Sequence, residues 1–395
     1  MTIRPDVKPF APPCGQSNES GRVRVAFISH TSILGGAERV LIELVEGLQA
    51  RGVDCLVCVP AAGPLVQALQ RIGVRHEIVK YSWWSNPVHR IRRNCNNVLA
   101  IFKLARLFKR ERIDLVYSNS SMVPSGAFAA KLCGLPHIWH VHEFGKEDHG
   151  LVFDIGEKLG MQLIGALSAK VICVSQAVEA KFAKYIPKSK LTTVYATVSL
   201  SGRGAPRPDP RFPVAVRCVL TGVIRPSKGQ REAIEAIDLL VKEGLDIGLT
   251  LVGSGPMEEE MRELIASKHL EERIEMVGYV DNPFPFVESA DIVLMCSRCE
   301  AFARPPLEGM MLGKPIVGSR SGGTVEAVRD HFNGLLYTSG DVRDLAEKIK
   351  QLAENLEYAR ALGENGREWA NHKFTAENFI GGVLEIIDNA VQKKV

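Results

Sequence analysis

The chain has 395 residues, 46% of them hydrophobic and 24% charged, with a net charge of +4. That length suits two or three domains, and so apolar a chain is neither disordered nor collagen-like. Its apolar runs all fall short of the roughly 18 residues that a membrane-spanning helix needs.

Residues 1–20 carry Arg4, Asp6, Lys8 and four prolines, a layout unlike a signal peptide, and read as a disordered tail. From residue 21 to 198, short β-rich apolar runs alternate with helical stretches. Strands are expected at Val23–Ser29, Cys55–Pro60, His76–Lys80, Leu115–Asn119, His137–His142, Val171–Ser175 and Thr192–Ala196. The spacing predicts helices over Glu38–Ala50, Leu65–Ile72 and Val98–Arg110. Near-continuous apolar strands separated by helices specify a parallel sheet covered on both faces. Right-handed crossovers make that unit doubly wound and Rossmann-like.

Ser199–Pro213 holds four prolines and two glycines and reads as a linker. The alternation restarts over 214–375. Strands are expected at Arg217–Gly222, Gly248–Gly253, Ile274–Gly278, Asp291–Cys296, Pro315–Gly318 and Gly334–Tyr337. Helices follow at Gln230–Glu243, Met257–Lys268, Pro306–Leu312 and Val342–Leu356. A final helix near Ala376–Val391, within residues 376–395, comes after both sheets and is free to cross back to the first domain. Two such units face a central crevice, and open α/β sheets bind ligands at the carboxyl ends of their strands.

Charge divides unevenly. Residues 1–200 carry 25 Lys/Arg against 15 Asp/Glu, and residues 201–395 carry 24 against 30. A basic half joined to an acidic half points to different partners for each. The nine cysteines are odd in number and scattered, which fits reduced thiols in a cytosolic protein. Cys55/Cys58 and Cys296/Cys299 have two-residue gaps but lack the neighbours of a zinc site, so no metal is expected. Gly35-Gly36 is not a G-x-G-x-x-G fingerprint, which argues against a dehydrogenase.

The sharpest segment is Cys299-Glu300-Ala301-Phe302-Ala303-Arg304-Pro305-Pro306-Leu307-Glu308-Gly309. Two prolines suit a helix start. The N–H groups of Ala301, Phe302 and Ala303 then precede a helix terminus, where an anion is favoured. Two carboxylates flanking an anion cradle suit a sugar nucleotide. The same residues also fit an acidic capped loop.

The segment resembles the E-x7-E signature of retaining glycosyltransferase family 4, which has the two-domain GT-B fold. Further pieces in the family's order are Gly35-Gly36-Ala37-Glu38, His142-Glu143, Gly222-Val223-Ile224-Arg225-Pro226-Ser227-Lys228-Gly229, Gly253-Ser254-Gly255-Pro256, Gly278-Tyr279-Val280, Gly313-Lys314-Pro315-Ile316-Val317 and Gly322-Gly323. Together they span Arg22 to about Ala390. The resemblance implies transfer of a sugar from a nucleotide donor with retained configuration, without a metal ion or other cofactor. It implies that Glu300 holds donor-sugar hydroxyls and Glu308 the ribose. Lys228 would neutralise the diphosphate, where a fixed ammonium stabilises the developing charge; alone, it reads as a solvated turn lysine. The family's usual arginine after the glycine is Val223 here, and Arg225 is the candidate substitute. Gly36, Gly253, Val280 and Leu307 complete the donor site by the same resemblance, although Gly253 also fits a plain tight turn. His142 matches the family's active-site histidine, with a near-neutral pKa expected to make either protonation state available. His140 is the second choice, and His137 and His149 are rivals. Ala303 in place of glycine is expected to narrow the approach to the phosphate. Tyr195-Ala196-Thr197-Val198-Ser199 in place of an Asn-Gly turn is expected to stiffen the hinge.

Arg90–Arg112 holds eight Lys/Arg against Glu111 alone, with Trp83-Trp84 just upstream. Val98, Ile101, Phe102, Ala105 and Phe108 recur at helical spacing. One reading is a helix packing Val98 and Phe102 on the sheet. A compatible one is an interfacial patch for anionic lipid. No recognition motif accompanies the charge, so nucleic acid is not an expected partner. The expected function is a cytoplasmic glycosyltransferase, peripheral on the inner face of the cytoplasmic membrane. Its acceptor is a glycan or polyprenyl-linked sugar of a cell-surface polysaccharide or lipopolysaccharide. The alternatives are a GT-B enzyme acting on a soluble acceptor or nucleotide sugar, and a catalytically silent nucleotide-sugar-binding subunit.

Overall fold

A computed structural model describes residues 22–85, 90–199 and 212–393, with the side chains of 90–94 left aside. The expected tail, most of the linker and the side chains of Arg90, Arg92 and Arg93 lie outside the described residues.

All thirteen expected strands are present. In the first half they are β1 (Arg24–Ser29), β2 (Asp54–Val59), β3 (Arg75–Ile78), β4 (Leu115–Asn119), β5 (His137–Val141), β6 (Lys170–Cys173) and β7 (Leu191–Thr193). In the second they are β8 (Val216–Thr221), β9 (Ile247–Val252), β10 (Ile274–Gly278), β11 (Ile292–Met295), β12 (Ile316–Ser319) and β13 (Gly334–Tyr337). The orders are β3-β2-β1-β4-β5-β6-β7 and β10-β9-β8-β11-β12-β13. Every pairing is parallel, as in β1 with β2 and β4, or β8 with β9 and β11. Central strands such as RVAFIS bury nearly every side chain because helices cover both faces. In each sheet the chain order reverses at the central strand, β1 or β8, and there the crevice opens.

The helix Arg90–Arg110 is longer than expected and turned differently. Ala100, Leu104, Leu107 and Phe108 face the core, whereas Val98 and Phe102 are 52% and 62% exposed. Packing of Val98 and Phe102 on the sheet is therefore corrected. A stripe at 100, 104, 107 and 108 is itself an i, i+4, i+7, i+8 face, and it packs in one cluster with Ala26, Ile28, Leu56 and Cys58 of the sheet.

Ala376–Gln392 packs on Gly36–Ala50, with Phe379, Ile380, Val383 and Ile387 in one cluster with Val25, Leu41 and Leu44. The segment before the linker packs the other way: Tyr195 and Val198 join the second sheet's core, and Thr197 Oγ1 donates to Phe374 O at 2.8 Å. Tyr195 also meets the Phe302 ring at a tilt and the Phe374 ring edge-on.

Candidate active site

Between the carboxyl ends of the two sheets lies a cavity of about 730 Å³. The second domain's wall begins after β8. Gly222, Val223, Arg225 and Lys228 line the cavity, and Gly229 starts the helix Gln230–Lys242. Lys228 Nζ donates to Glu300 Oε2 at 2.5 Å. Burial, the largest single influence, would raise the Glu300 pKa, but Lys228 together with Ser297 and His149 outweighs it and the net shift is downward, so the group is a carboxylate. The loop carrying Glu300 is braced from behind, where Gly323 N donates to Glu300 O at 2.7 Å. A Cβ on Gly322 would lie 2.2 Å from Glu300 O, so only glycine fits there. Arg225 turns its guanidinium across the cleft to His149 Nδ1, 3.0 Å away.

Glu308 sits in the helix Arg304–Met311, whose first turn carries both expected prolines, Pro305 and Pro306. It is buried, and burial raises its pKa more than Arg304 and Arg39 lower it. Arg304 Nε lies 3.6 Å from Glu308 Oε1, while its two terminal nitrogens donate to Glu43 at 3.0 and 3.1 Å. Phe302, Ala303, Leu307, Gly253 and Val280 line the cavity; Ala301 does not. Its methyl is buried in the first domain's apolar cluster with Trp139 and Val174, which leaves its backbone N–H as the group offered to the donor. Ala303 caps the helix with φ −82°, an ordinary extended conformation, so alanine sits there without strain.

The first domain's wall is built on β1, β4 and β5. Gly35 and Gly36 open the helix Gly36–Ala50 and both line the cavity. His142 also lines it, with Nε2 2.7 Å from Asn119 Oδ1. Asn119 Nδ2 donates to Ala37 O, which fixes the amide, so His142 Nε2 carries the proton and Nδ1 is the acceptor. Burial, with His140 and His30 close by, pushes its pKa well below the ordinary histidine value. The expectation of two available protonation states is thereby corrected: the imidazole is neutral. His140 and His137 are core residues, bonded to Tyr117 Oη and to Ser118 Oγ.

Several cleft residues were given no role of their own by the sequence. Glu143 is buried; its Oε1 accepts from Ser120 Oγ, Ser121 N and Ser121 Oγ, and its Oε2 from His142 N. Ser120 holds φ +120°, a strained value for serine, of the kind found at functional sites. His149 faces Arg225, and burial, then Arg225, lowers its pKa to about 4. Glu43–Arg304 and Arg39 to Asp281 O at 3.1 Å tie the two domains together. Farther along the seam, Glu326 accepts from Gln176 N, Ala177 N and Tyr195 Oη, each at 2.8 Å. His142-Glu143 adjacency was the one available hint, since the pair ends a strand.

Comparison with known proteins completes the picture. The family model for glycosyltransferase family 4 matches residues 34–201, and that for glycosyl transferases group 1 matches residues 217–369. An uncharacterized glycosyltransferase of Methanocaldococcus jannaschii is 28% identical over 75% of this chain and 81% of its own length. A lipopolysaccharide core biosynthesis glycosyltransferase of Rhizobium meliloti is 28% identical over 40% of this chain, less than half of its own length at 46%. The crystal structure of Anabaena HepE in complex with UDP superposes with a TM-score of 0.76 at 21% identity, covering 93% of this chain and all of that one. At that identity the likeness shows the fold, which is GT-B.

Proposed function

Because this chain belongs to glycosyltransferase family 4, we propose that it is a retaining enzyme carrying a hexosyl or deoxyhexosyl group from a nucleotide sugar to a glycan or lipid-linked sugar. The product would be a cell-surface polysaccharide or lipopolysaccharide. The observation that carries the reading is the Lys228–Glu300 contact at the mouth of β8, with Arg225 beside it and Glu308 buried deeper in the same cavity. Lys228 and Arg225 would meet the diphosphate, Glu300 the donor sugar and Glu308 the ribose, with Gly253 and Val280 closing on the nucleoside. The bond from the anomeric carbon to the phosphate oxygen breaks. A bond from the acceptor oxygen forms on the same face, and the acceptor proton passes to the departing diphosphate. Neutral His142 orients the reacting groups as a hydrogen-bonding partner. Fixed cations stabilise the charge left on the diphosphate without reorganising at the moment of reaction. No metal is given a role.

Location is part of the same proposal. No described helix is long and apolar enough to cross a membrane. The exposed Val98, Leu99 and Phe102 lie beside the exposed Lys103, Arg106 and Lys109 on one helix. Apolar groups among basic ones favour a peripheral, salt-sensitive hold on anionic lipid. The deciding experiment is a thermal-shift screen of UDP-, GDP- and dTDP-sugars followed by donor hydrolysis with acceptors supplied. Stabilisation with turnover supports the enzyme. Stabilisation without any turnover makes it a silent binding subunit, and no response to any donor removes the donor assignment.

A further inference from the structure

The first domain's wall of the cavity holds side chains that the donor leaves unused. Trp83 lines it with its indole N–H donated to His30 O at 2.6 Å, which fixes the ring 5.5 Å from the His30 imidazole. Glu38, only 2% exposed, lines the same wall. Its Oε1 lies 3.0 Å from His30 Nδ1, but that nitrogen also faces Asn119 O at 3.2 Å. Glu38 Oε1 is left buried without a hydrogen bond. Glu38 Oε1 thus keeps His30 as an ion partner but has no aligned donor, which leaves it able to accept one from outside the chain. Glu143 Oε2, with a single donor from His142 N, has a lone pair to spare. Met122 and Leu151 complete the wall.

The charge here differs from that of the opposite wall. Lys228, Arg225 and Arg304 belong to the second domain's wall, where the first two are given to the diphosphate, and Arg39 on this side donates to Asp281 O. His30 is paired with Glu38, and Glu143 adds a carboxylate. A phosphate or carboxylate brought to this wall would meet acceptors and like charge. An uncharged ring bearing hydroxyls meets acceptors for its donors and an indole face for its C–H face.

We propose that the wall of Trp83, Glu38, His30 and Glu143 is the acceptor subsite, and that its occupant is an uncharged sugar ring rather than a phosphorylated or carboxylated group. The ring lies on Trp83, with hydroxyls donated to Glu38 Oε1 and Glu143 Oε2. This rests on the proposed function, in which the donor occupies the second domain's wall and leaves the first domain's wall to the acceptor.

The test uses the full chain and saturation-transfer NMR with methyl α-D-glucoside, methyl α-D-galactoside and methyl α-D-mannoside. Glucose 1-phosphate and sn-glycerol 3-phosphate serve as charged probes. At least one neutral glycoside receives saturation. Glu38→Gln weakens its binding about tenfold or more, the loss expected when a charge-assisted hydrogen bond is removed. Trp83→Ala abolishes it, whereas Trp83→Phe keeps an aromatic platform and retains most of it. Thermal midpoints and UDP binding, measured on the same samples, show that the variants are folded. Saturation of the charged probes that Glu38→Gln and Trp83→Ala remove overturns the proposal. So does the absence of any neutral binding, or neutral binding indifferent to both substitutions. Donor response on the same samples separates the two readings: hydrolysis without glycoside binding refutes the subsite alone, and glycoside binding with neither thermal response to any donor nor hydrolysis refutes the donor reading alone.

Discussion

Gly322→Ala is a test of Glu300 that leaves Glu300 itself untouched. Gly322 has φ +49°, and an added methyl would lie 2.2 Å from Glu300 O and 3.0 Å from its amide nitrogen. Real Cβ atoms essentially never come closer than 3.0 Å, so one of the two loops must retreat by about 0.8 Å. Both neighbours are backbone and cannot rotate away. The conformational penalty for alanine at such a φ is about 1–2 kcal/mol. The displacement costs more, because Glu300 meets Lys228 at 2.5 Å and a misplacement near 1 Å lowers turnover by about 10²-fold. Gly340→Ala is the control: φ is +87° but nothing lies within 4 Å. Both variants should lose thermal midpoint from the backbone penalty, Gly322→Ala more because of the added clash, while only Gly322→Ala loses kcat. The assay is donor hydrolysis beside a thermal melt. Turnover in Gly322→Ala within about threefold of the parent, or an equal loss in Gly340→Ala, refutes the reasoning.

Glu300→Ala should cut kcat severely, whereas Glu308→Ala should mainly raise the donor KM, by roughly 10- to 150-fold for a lost bond of about 1.5–3 kcal/mol; unchanged kinetics in both ends the assignment. Activity should survive EDTA, and a complete loss restored by manganese or magnesium contradicts the cationic-cradle mechanism. His137 and His140 are pushed by burial to a pKa of about 3, against about 6.5 when unfolded. The unfolded chain therefore binds more protons between those values, and stability should fall as pH drops from about 6.5 toward 3. Urea midpoints should show this slope, and His140→Gln should flatten it; an unchanged slope rejects the role of His140. Pelleting with anionic vesicles should weaken at high salt, where the Debye length shortens, and drop in Phe102→Asp and in Arg106→Ser. Equal pelleting with neutral and anionic vesicles counts against the lipid-facing patch.

Most of the strands were legible because they are short, near-continuous apolar runs between turn residues, β3 (RHEI) being the exception. The helices that escaped notice lack that contrast. Ser125–Cys133 is built of small residues, and Leu356–Lys373 spreads few large apolar residues over its length. Periodicity revealed the helix Arg90–Arg110 but not its phase, since two overlapping stripes fit one sequence and only contact with the sheet chooses between them. The glutamates and Lys228 were legible as a motif. Their partners were not: Arg304 and Glu43 stand 261 positions apart, and Glu326 and Ala177 149. No local spacing records a meeting that only the docking of two domains creates. His142 shows a finer limit, because its residue type permits two charge states and burial beside two other histidines selects one.

The helix Ala376–Gln392 has a consequence for how the chain is made. It supplies Phe379, Ile380, Val383 and Ile387 to the core beneath the first sheet, and it sits so close to Gly36–Ala50 that a Cβ on Gly47 would lie 2.1 Å from Ile380 Cδ1. During synthesis the first sheet emerges early, with Leu41, Leu44 and Val25 still uncovered. The second sheet emerges later, yet has all its strands and most of its covering helices in one uninterrupted stretch. Maturation therefore runs against the order of translation: the domain born first is finished last. In that interval its bare apolar face is a target for holding chaperones and a site for misassembly between nascent chains. A ribosome stalled anywhere before Ala376 displays that face, whatever the state of the second sheet.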